Sequence, residues 1–106
     1  MTPKAHPLQQ VGFESMITGA LKVRLLLREA RTLKDKRQVS RSILDRLRGE
    51  FNVSAAEIEE LDNPRSLVLG FAMVGWDGKH VRDMLQRIAE ALRRHPIAEF
   101  VSSEME

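Results

Sequence analysis

Apolar and polar side chains alternate along the chain from Ile17 onward, which is typical of a β-strand with one buried face. The apolar side of this stretch consists of Gly19, Leu21, Val23, Leu25 and Leu27. Residues 52–60 alternate more weakly and predict a second strand. Residues 66–75 contain a run that is apolar on both sides, so we expect a third strand that lies centrally in a sheet.

Two other segments have the period of an amphipathic helix. Over residues 33–51 the apolar positions fall on one side of a helical wheel, and Thr32 followed by Asp35 is typical of a helix start. A second helix is predicted over residues 78–95, with Asp77 as its N-cap. Each helix therefore has one buried side and one solvent-exposed side.

A last strand over residues 98–105 completes the order β-α-β-β-α-β. In this strand we expect Val101 and Met105 on one side and Phe100 on the other. The order predicts an α+β protein with a ferredoxin-like sandwich, in which right-handed crossovers place both helices on one face of a four-stranded antiparallel sheet.

The other sheet face would expose many small or apolar side chains. Those on the two central strands are Ala20, Leu26, Val68, Gly70, Ala72 and Val74. Large exposed apolar patches usually mark interfaces, so we expect a homodimer through this open sheet face. The alternative is a monomer that tolerates small side chains on an open sheet.

The length of 106 residues fits one domain, for which we expect a flexible tail over residues 1–15 and a folded domain over residues 16–106. No apolar run approaches the roughly 18 to 20 residues that cross a bilayer, and the first residues lack the pattern of a secretory signal. The chain contains no cysteine, which excludes disulfides and thiolate chemistry. We therefore expect a cytoplasmic protein that makes no contact with a membrane.

Charge is unevenly distributed, although the formal net charge is only +2. Residues 22–48 contain ten basic and three acidic residues, and such an excess creates a local positive field. A basic stripe along one edge of the first helix consists of Lys34, Arg37, Arg41 and Arg48. A similar stripe on the second helix consists of Lys79, Arg82 and Arg93. Because both helices cover one sheet face, we expect a joined basic surface that binds the phosphates of structured RNA. The alternative is an ordinary solvated surface, partly neutralised by nearby acids.

Lys36 and Trp76 occupy positions that require a specific environment. Lys36 falls within the apolar sector of the first helix, so we expect it to extend to solvent or to pair with Glu29 or with a carboxylate of the last strand. Trp76 lies between the third strand and the second helix, where we expect it to close the end of the core. Stacking on a base and filling an interface are the alternatives. The three histidines lack the spacing of ligands, so no metal site is expected.

From Met16 to its end, the chain resembles the YlxP-like bacterial family, the domain of unknown function 503. The resemblance is carried by residues 31–37 (RTLKDKR), 44–48 (LDRLR), 51–57 (FNVSAAE) and 68–72 (VLGFA), with Asp77, His80 and Val81. It implies a ferredoxin-like α/β sandwich and no settled activity. Genes of this family often lie among those for translation initiation and ribosome maturation, which implies an association with ribosome assembly or RNA. Residues 58–65 depart from the family's pattern.

No residue set in the sequence predicts a reaction. There is no glycine-rich phosphate cradle and no nucleophile with a paired base, so we expect a protein that is not an enzyme and uses no cofactor. The function we expect is association with RNA or a ribosomal particle through the basic helical surface. The alternative is a dimer that senses a small molecule, through the connection over residues 28–31, or that serves structural interactions.

Overall fold

The computed structural model describes residues 15–106, and this part of the chain contains four strands and two helices in the predicted order. The elements are β1 (Ile17–Leu26), α1 (Leu33–Glu50), β2 (Ser54–Glu59), β3 (Ser66–Gly75), α2 (Gly78–Arg93) and β4 (Glu99–Met105). The tail that we predict over residues 1–15 lies outside the described residues, apart from Ser15.

The four strands form one antiparallel sheet in the order β2-β3-β1-β4. β1 pairs with β3 so that Leu21 lies opposite Phe71 and Val23 lies opposite Leu69. These four side chains are buried in one core with apolar residues of both helices. Both helices therefore lie on the same sheet face, which confirms the predicted α+β sandwich. α1 packs against β2 at one edge, whereas α2 packs over β1, β3 and β4.

Both helices begin where the local sequence predicts. The Thr32 hydroxyl accepts a hydrogen bond from the Asp35 amide at 3.1 Å, and the Asp35 carboxylate accepts from the amides of Arg31 and Thr32 at 2.9 and 3.2 Å. These backbone donors lower the pKa of Asp35, because they stabilise its charged form. At the start of α2 the Asp77 carboxylate accepts from the Lys79 amide at 3.1 Å.

A β-bulge in β4 changes which of its side chains face the helices. The bulge leaves Val101 as an extra residue, so Phe100 pairs with Leu25 and Met105 pairs with Leu21. Phe100 and Met105 therefore share the helix-facing side, and the expectation that they lie on opposite sides is wrong. One inserted residue reverses the alternation of every residue beyond it.

A second bulge, in β2, acts at the opposite edge of the sheet. Glu57 and Glu59 pair with consecutive residues of β3, so Ile58 is the extra residue. Glu57 consequently faces the helices and Glu59 lies on the open sheet face. The Ile58 side chain lies over Gly70, where an added Cβ would come within 3.0 Å of it.

Candidate nucleic-acid interface

The α1 stripe (Lys34, Arg37, Arg41 and Arg48) is exposed along the outer side of its helix. The side chains of Lys34, Arg37 and Arg41 make no ion pair or hydrogen bond with any of residues 15–106. Arg48 differs, because its guanidinium donates to the carbonyl oxygen of Ala55 in β2 and lies 3.6 Å from a carboxylate three residues earlier. Three of the four cations in this stripe are thus available to a ligand.

The corresponding stripe of α2 is largely neutralised by its own surroundings. Lys79 Nζ lies 2.9 Å from Asp83, and this contact raises the pKa of Lys79 and lowers that of Asp83. Arg93 lies 3.8 Å from a carboxylate three residues earlier, and its guanidinium stands over the Phe100 ring at 4.1 Å. Of these three cations, only Arg82 makes no such contact with the described part of the chain.

The two stripes lie at opposite edges of the sheet. Arg48 reaches β2, which is one edge strand, and Arg93 reaches β4, which is the other. The seam between the helices is lined by different residues, including Ser42, Arg46 and Ala91. The expected joined basic surface is therefore wrong, because each stripe occupies the side of its helix that is turned away from the other helix.

Lys36 connects α1 to the β2–β3 side of the sheet from inside the protein. Its side chain is 1% exposed, and Nζ donates to the carbonyl oxygens of Glu60 and Ser66 at 2.9 and 3.0 Å. The same Nζ lies 2.7 Å from the carboxylate of Glu57. The expected pairing with Glu29 or with an acid of the last strand is wrong, because α1 covers the β2 edge and β4 forms the opposite edge. These contacts are those of a structural anchor.

Trp76 lies on the surface between β3 and α2. Its side chain is 78% exposed, and its ring is nearly parallel to that of His80, with an interplanar angle of 23° and centroids 6.0 Å apart. The expectation that Trp76 closes the end of the core is wrong, because Val81 occupies that place. The buried Val81 side chain fills the space beside Gly75, where an added Cβ would come within 2.9 Å of it.

Ion pairs cover one half of the open sheet face. Glu59 pairs with Lys22 and Arg24, and Glu60 also pairs with Arg24. The Lys22 ammonium lowers the pKa of Glu59. Val68, whose strand partners are Arg24 and Glu59, is fully buried at this place. Sequence reasoning missed the cluster, because only the β2 bulge turns Glu59 to this face.

The other half of the open sheet face is an apolar trough of about 450 Å³. Its lining includes Ala20, Ala56, Ile58, Gly70 and Ala72, and Glu104 and Glu106 of the β4 side also border it. Ile58 is 46% exposed beside the trough. Of the six residues that the sequence predicts on this face, Ala20, Gly70 and Ala72 line the trough, whereas Val68 is buried.

Among residues 15–106, no group of three or more histidine, aspartate or glutamate side chains is placed to hold a metal ion. Neither helix in this range is long and apolar enough to cross a membrane.

The fold and the surface together define a small α/β sandwich with an α1 stripe in which three of four cations form no ion pair within the described part of the chain. A family model described as "Protein of unknown function (DUF503)" matches residues 18–105. The chain therefore belongs to this family, as its resemblance to the domain of unknown function 503 predicts. The description of the family assigns no activity. A search of curated proteins found no match to the chain.

Proposed function

We propose that the protein is a non-catalytic cytoplasmic RNA-binding protein, which contacts structured RNA such as that of a ribosomal particle through the α1 stripe. The observation that carries this proposal is that Lys34, Arg37 and Arg41 make no ion pair or hydrogen bond with residues 15–106 through their side chains. Most other basic side chains between residues 15 and 106 lie within 4.0 Å of a carboxylate. Three neighbouring cations that lack a nearby carboxylate in the described residues are therefore an exception on this surface.

The geometry of the stripe suits a phosphate backbone. A rise of about 1.5 Å per residue places Lys34, Arg37 and Arg41 within about 10 Å of one another along α1. The planar guanidinium group can donate two parallel hydrogen bonds to one phosphate. Structured RNA is recognised mainly through its shape and its backbone, which matches a row of cations on a rigid helix. Such binding is weak and strongly dependent on salt.

The residues of the open sheet face also favour RNA contact through the helices. RNA-recognition motifs stack bases on aromatic side chains of the central strands. The corresponding positions here carry residues such as Ala20, Lys22, Gly70 and Ala72, and none of those on β1 or β3 is aromatic. The helical side of the molecule is therefore the better candidate for RNA contact.

Charge reversal of the stripe tests the proposal. We expect Arg37→Glu combined with Arg41→Glu to abolish retention on immobilised structured RNA at low salt, because both phosphate contacts become repulsive. Thermal unfolding of the same variant should match that of the wild-type protein, since both side chains are exposed and make no ion pair or hydrogen bond with residues 15–106. Unchanged retention at low salt would contradict the proposal.

A matched control separates the stripe from net charge. Lys79→Glu combined with Arg93→Glu produces the same change in net charge on α2, where the cations already have acidic partners. We expect this variant to keep most of the RNA retention. Equal losses in the two variants would indicate that total charge, and not the α1 stripe, governs binding.

A second candidate function is a structural interaction, in which two copies of the chain form a homodimer through the open sheet face. The observation in its favour is the apolar trough, which lies beside the exposed Ile58 on the same face. Strands about 4.8 Å apart and about 3.3 Å per residue give the face an area of roughly 500 Å². Two such faces bury about 1,000 Å², which corresponds to a weak association.

Sedimentation over a range of protein concentrations tests this dimer. We expect a dimer that Ala72→Arg converts to a monomer, because a charge would enter the centre of the apolar contact. A wild-type protein that remains monomeric at the highest concentration would contradict the dimer.

The small-molecule-sensing alternative concerns the connection over residues 28–31. Arg28 is held by Glu99, with Nε 2.7 Å from the carboxylate, and the Ala30 carbonyl accepts from Arg65 at 3.3 Å. A thermal-shift screen with amino acids, nucleotides and coenzymes tests this alternative, since a ligand of the native state raises the Tm. No shift with any of these ligands would count against it.

A further inference from the structure

The exposed ring of Trp76 is oriented by the protein. His80 lies against one side of it, and 78% of the side chain remains open to solvent. Val74, the exposed apolar residue closest to it along β3, projects to the open sheet face instead. Trp76 is therefore an exposed aromatic platform beside α2, and it does not line the apolar trough.

An exposed cation lies on the same side of α2. Arg87 follows His80 by seven residues, so the two side chains share one side of the helix at a separation of about 10 Å. Arg87 is exposed and makes no ion pair or hydrogen bond with the described residues. An aromatic ring and a cation at this separation match the combination of base and phosphate in a single strand of nucleic acid.

We infer that Trp76 and His80 form a stacking site for an unpaired base of the RNA that the α1 stripe holds, with Arg87 in contact with a neighbouring phosphate. The inference rests on the proposed function, because the stripe supplies the main contact with the same RNA. Every base has a π-face, so the site is tolerant of sequence. The ring beside Trp76 is an imidazole, and a guanidinium lies about two turns further along α2, a combination that suits a nucleotide better than an apolar peptide.

The composition of the chain makes the test direct. Trp76 is the only tryptophan, and the chain has no tyrosine, so tryptophan emission reports on this site alone. The full chain is titrated with two RNAs that share one stem, namely a hairpin with an unpaired loop and a fully paired duplex. We expect the hairpin to quench the emission of Trp76 and the duplex to bind without quenching it.

Variants at Trp76 give the quantitative result. Loss of one base stack predicts that Trp76→Ala binds the hairpin about 5- to 150-fold more weakly, while its affinity for the duplex is unchanged. Trp76→Phe should recover most of the affinity, because phenylalanine retains a stacking face. For hairpin binding, we expect Arg87→Ala to reduce the slope of log K against log salt concentration by about 1.

The outcomes separate the inference from the proposed function. If the wild-type protein binds both RNAs and the emission of Trp76 does not change, the stacking site is overturned and binding through the stripe stands. If it binds neither RNA at low salt, the proposed function fails and the stacking site fails with it. If Trp76→Ala changes the sedimentation of the RNA-free protein and not the hairpin affinity, Trp76 is a protein contact and the inference is overturned.

Discussion

Lys36 and Arg37 are consecutive residues of α1, yet they occupy two different environments. Lys36 is 1% exposed and its ammonium group contacts three oxygen atoms of β2 and the residues around it, whereas Arg37 is exposed without a partner in residues 15–106. A step of about 100° around the helix separates the two side chains. The inner cation contributes to the fold, and the outer cation is available to a ligand.

The two basic stripes extend this comparison to α2. Both stripes have similar spacing along their helices, but two of the three α2 cations, Lys79 and Arg93, form ion pairs with acids of their own helix, whereas in the α1 stripe only Arg48 does so. Arg93 additionally stacks on Phe100 of β4. Spacing alone therefore does not show whether a row of cations is available to a ligand.

The largest expected effect is on stability at the inner position. Lys36→Met leaves the largely buried Glu57 carboxylate without its cation, and removal of one partner of a buried ion pair costs about 3 to 5 kcal/mol. Arg37→Met should change the free energy of unfolding by less than about 0.5 kcal/mol. Chemical denaturation measures both values. Equal losses of stability at the two positions would contradict this difference between Lys36 and Arg37. Recovery of stability in Lys36→Met combined with Glu57→Leu would show that the loss comes from the unpaired Glu57 carboxylate.

A smaller effect is expected on the salt dependence of RNA binding. Arg37→Ala should reduce the slope of log K against log salt by about 1, because one phosphate contact is lost. Arg93→Ala should leave the slope unchanged, since this guanidinium is already occupied by Phe100 and a carboxylate. Measurement of the RNA affinity of both variants between low and moderate salt tests these two predictions. A smaller slope for Arg93→Ala would show that the α2 stripe contributes as much as the α1 stripe.

The smallest expected effect is on the pH dependence of stability, through the capping box at the start of α1. The pKa of Asp35 is lowered by the amides of Arg31 and Thr32, so its contribution to stability is present above the unfolded pKa of about 4. That contribution is lost as the pH falls through the lower pKa of the folded protein. We expect the wild-type protein to be more stable than Asp35→Asn at neutral pH, and the difference to disappear in strong acid. Acid titrations of both proteins at fixed denaturant measure this, and a constant difference at all pH values would contradict it.

Helices, strands and caps follow from interactions between residues that are close along the chain. The period-two pattern of β1 and the Thr32–Asp35 capping box involve residues two to four positions apart, so the residues themselves determine these elements. The order of the elements and the right-handed crossovers then leave one topology, in which both helices cover one sheet face. The helical period likewise determines that Lys34, Arg37 and Arg41 share one exposed side of α1.

Other features arise only when distant segments meet. The partner of Lys36 comes from β2 because α1 packs over that edge, and Trp76 is exposed because Val81 fills the end of the core. The bulges at Ile58 and Val101 reverse the alternation of the strands that contain them, and no local pattern marks where they occur. Tertiary packing decides these points, because the free energy of each side chain depends on neighbours that the chain brings to it from far away in sequence.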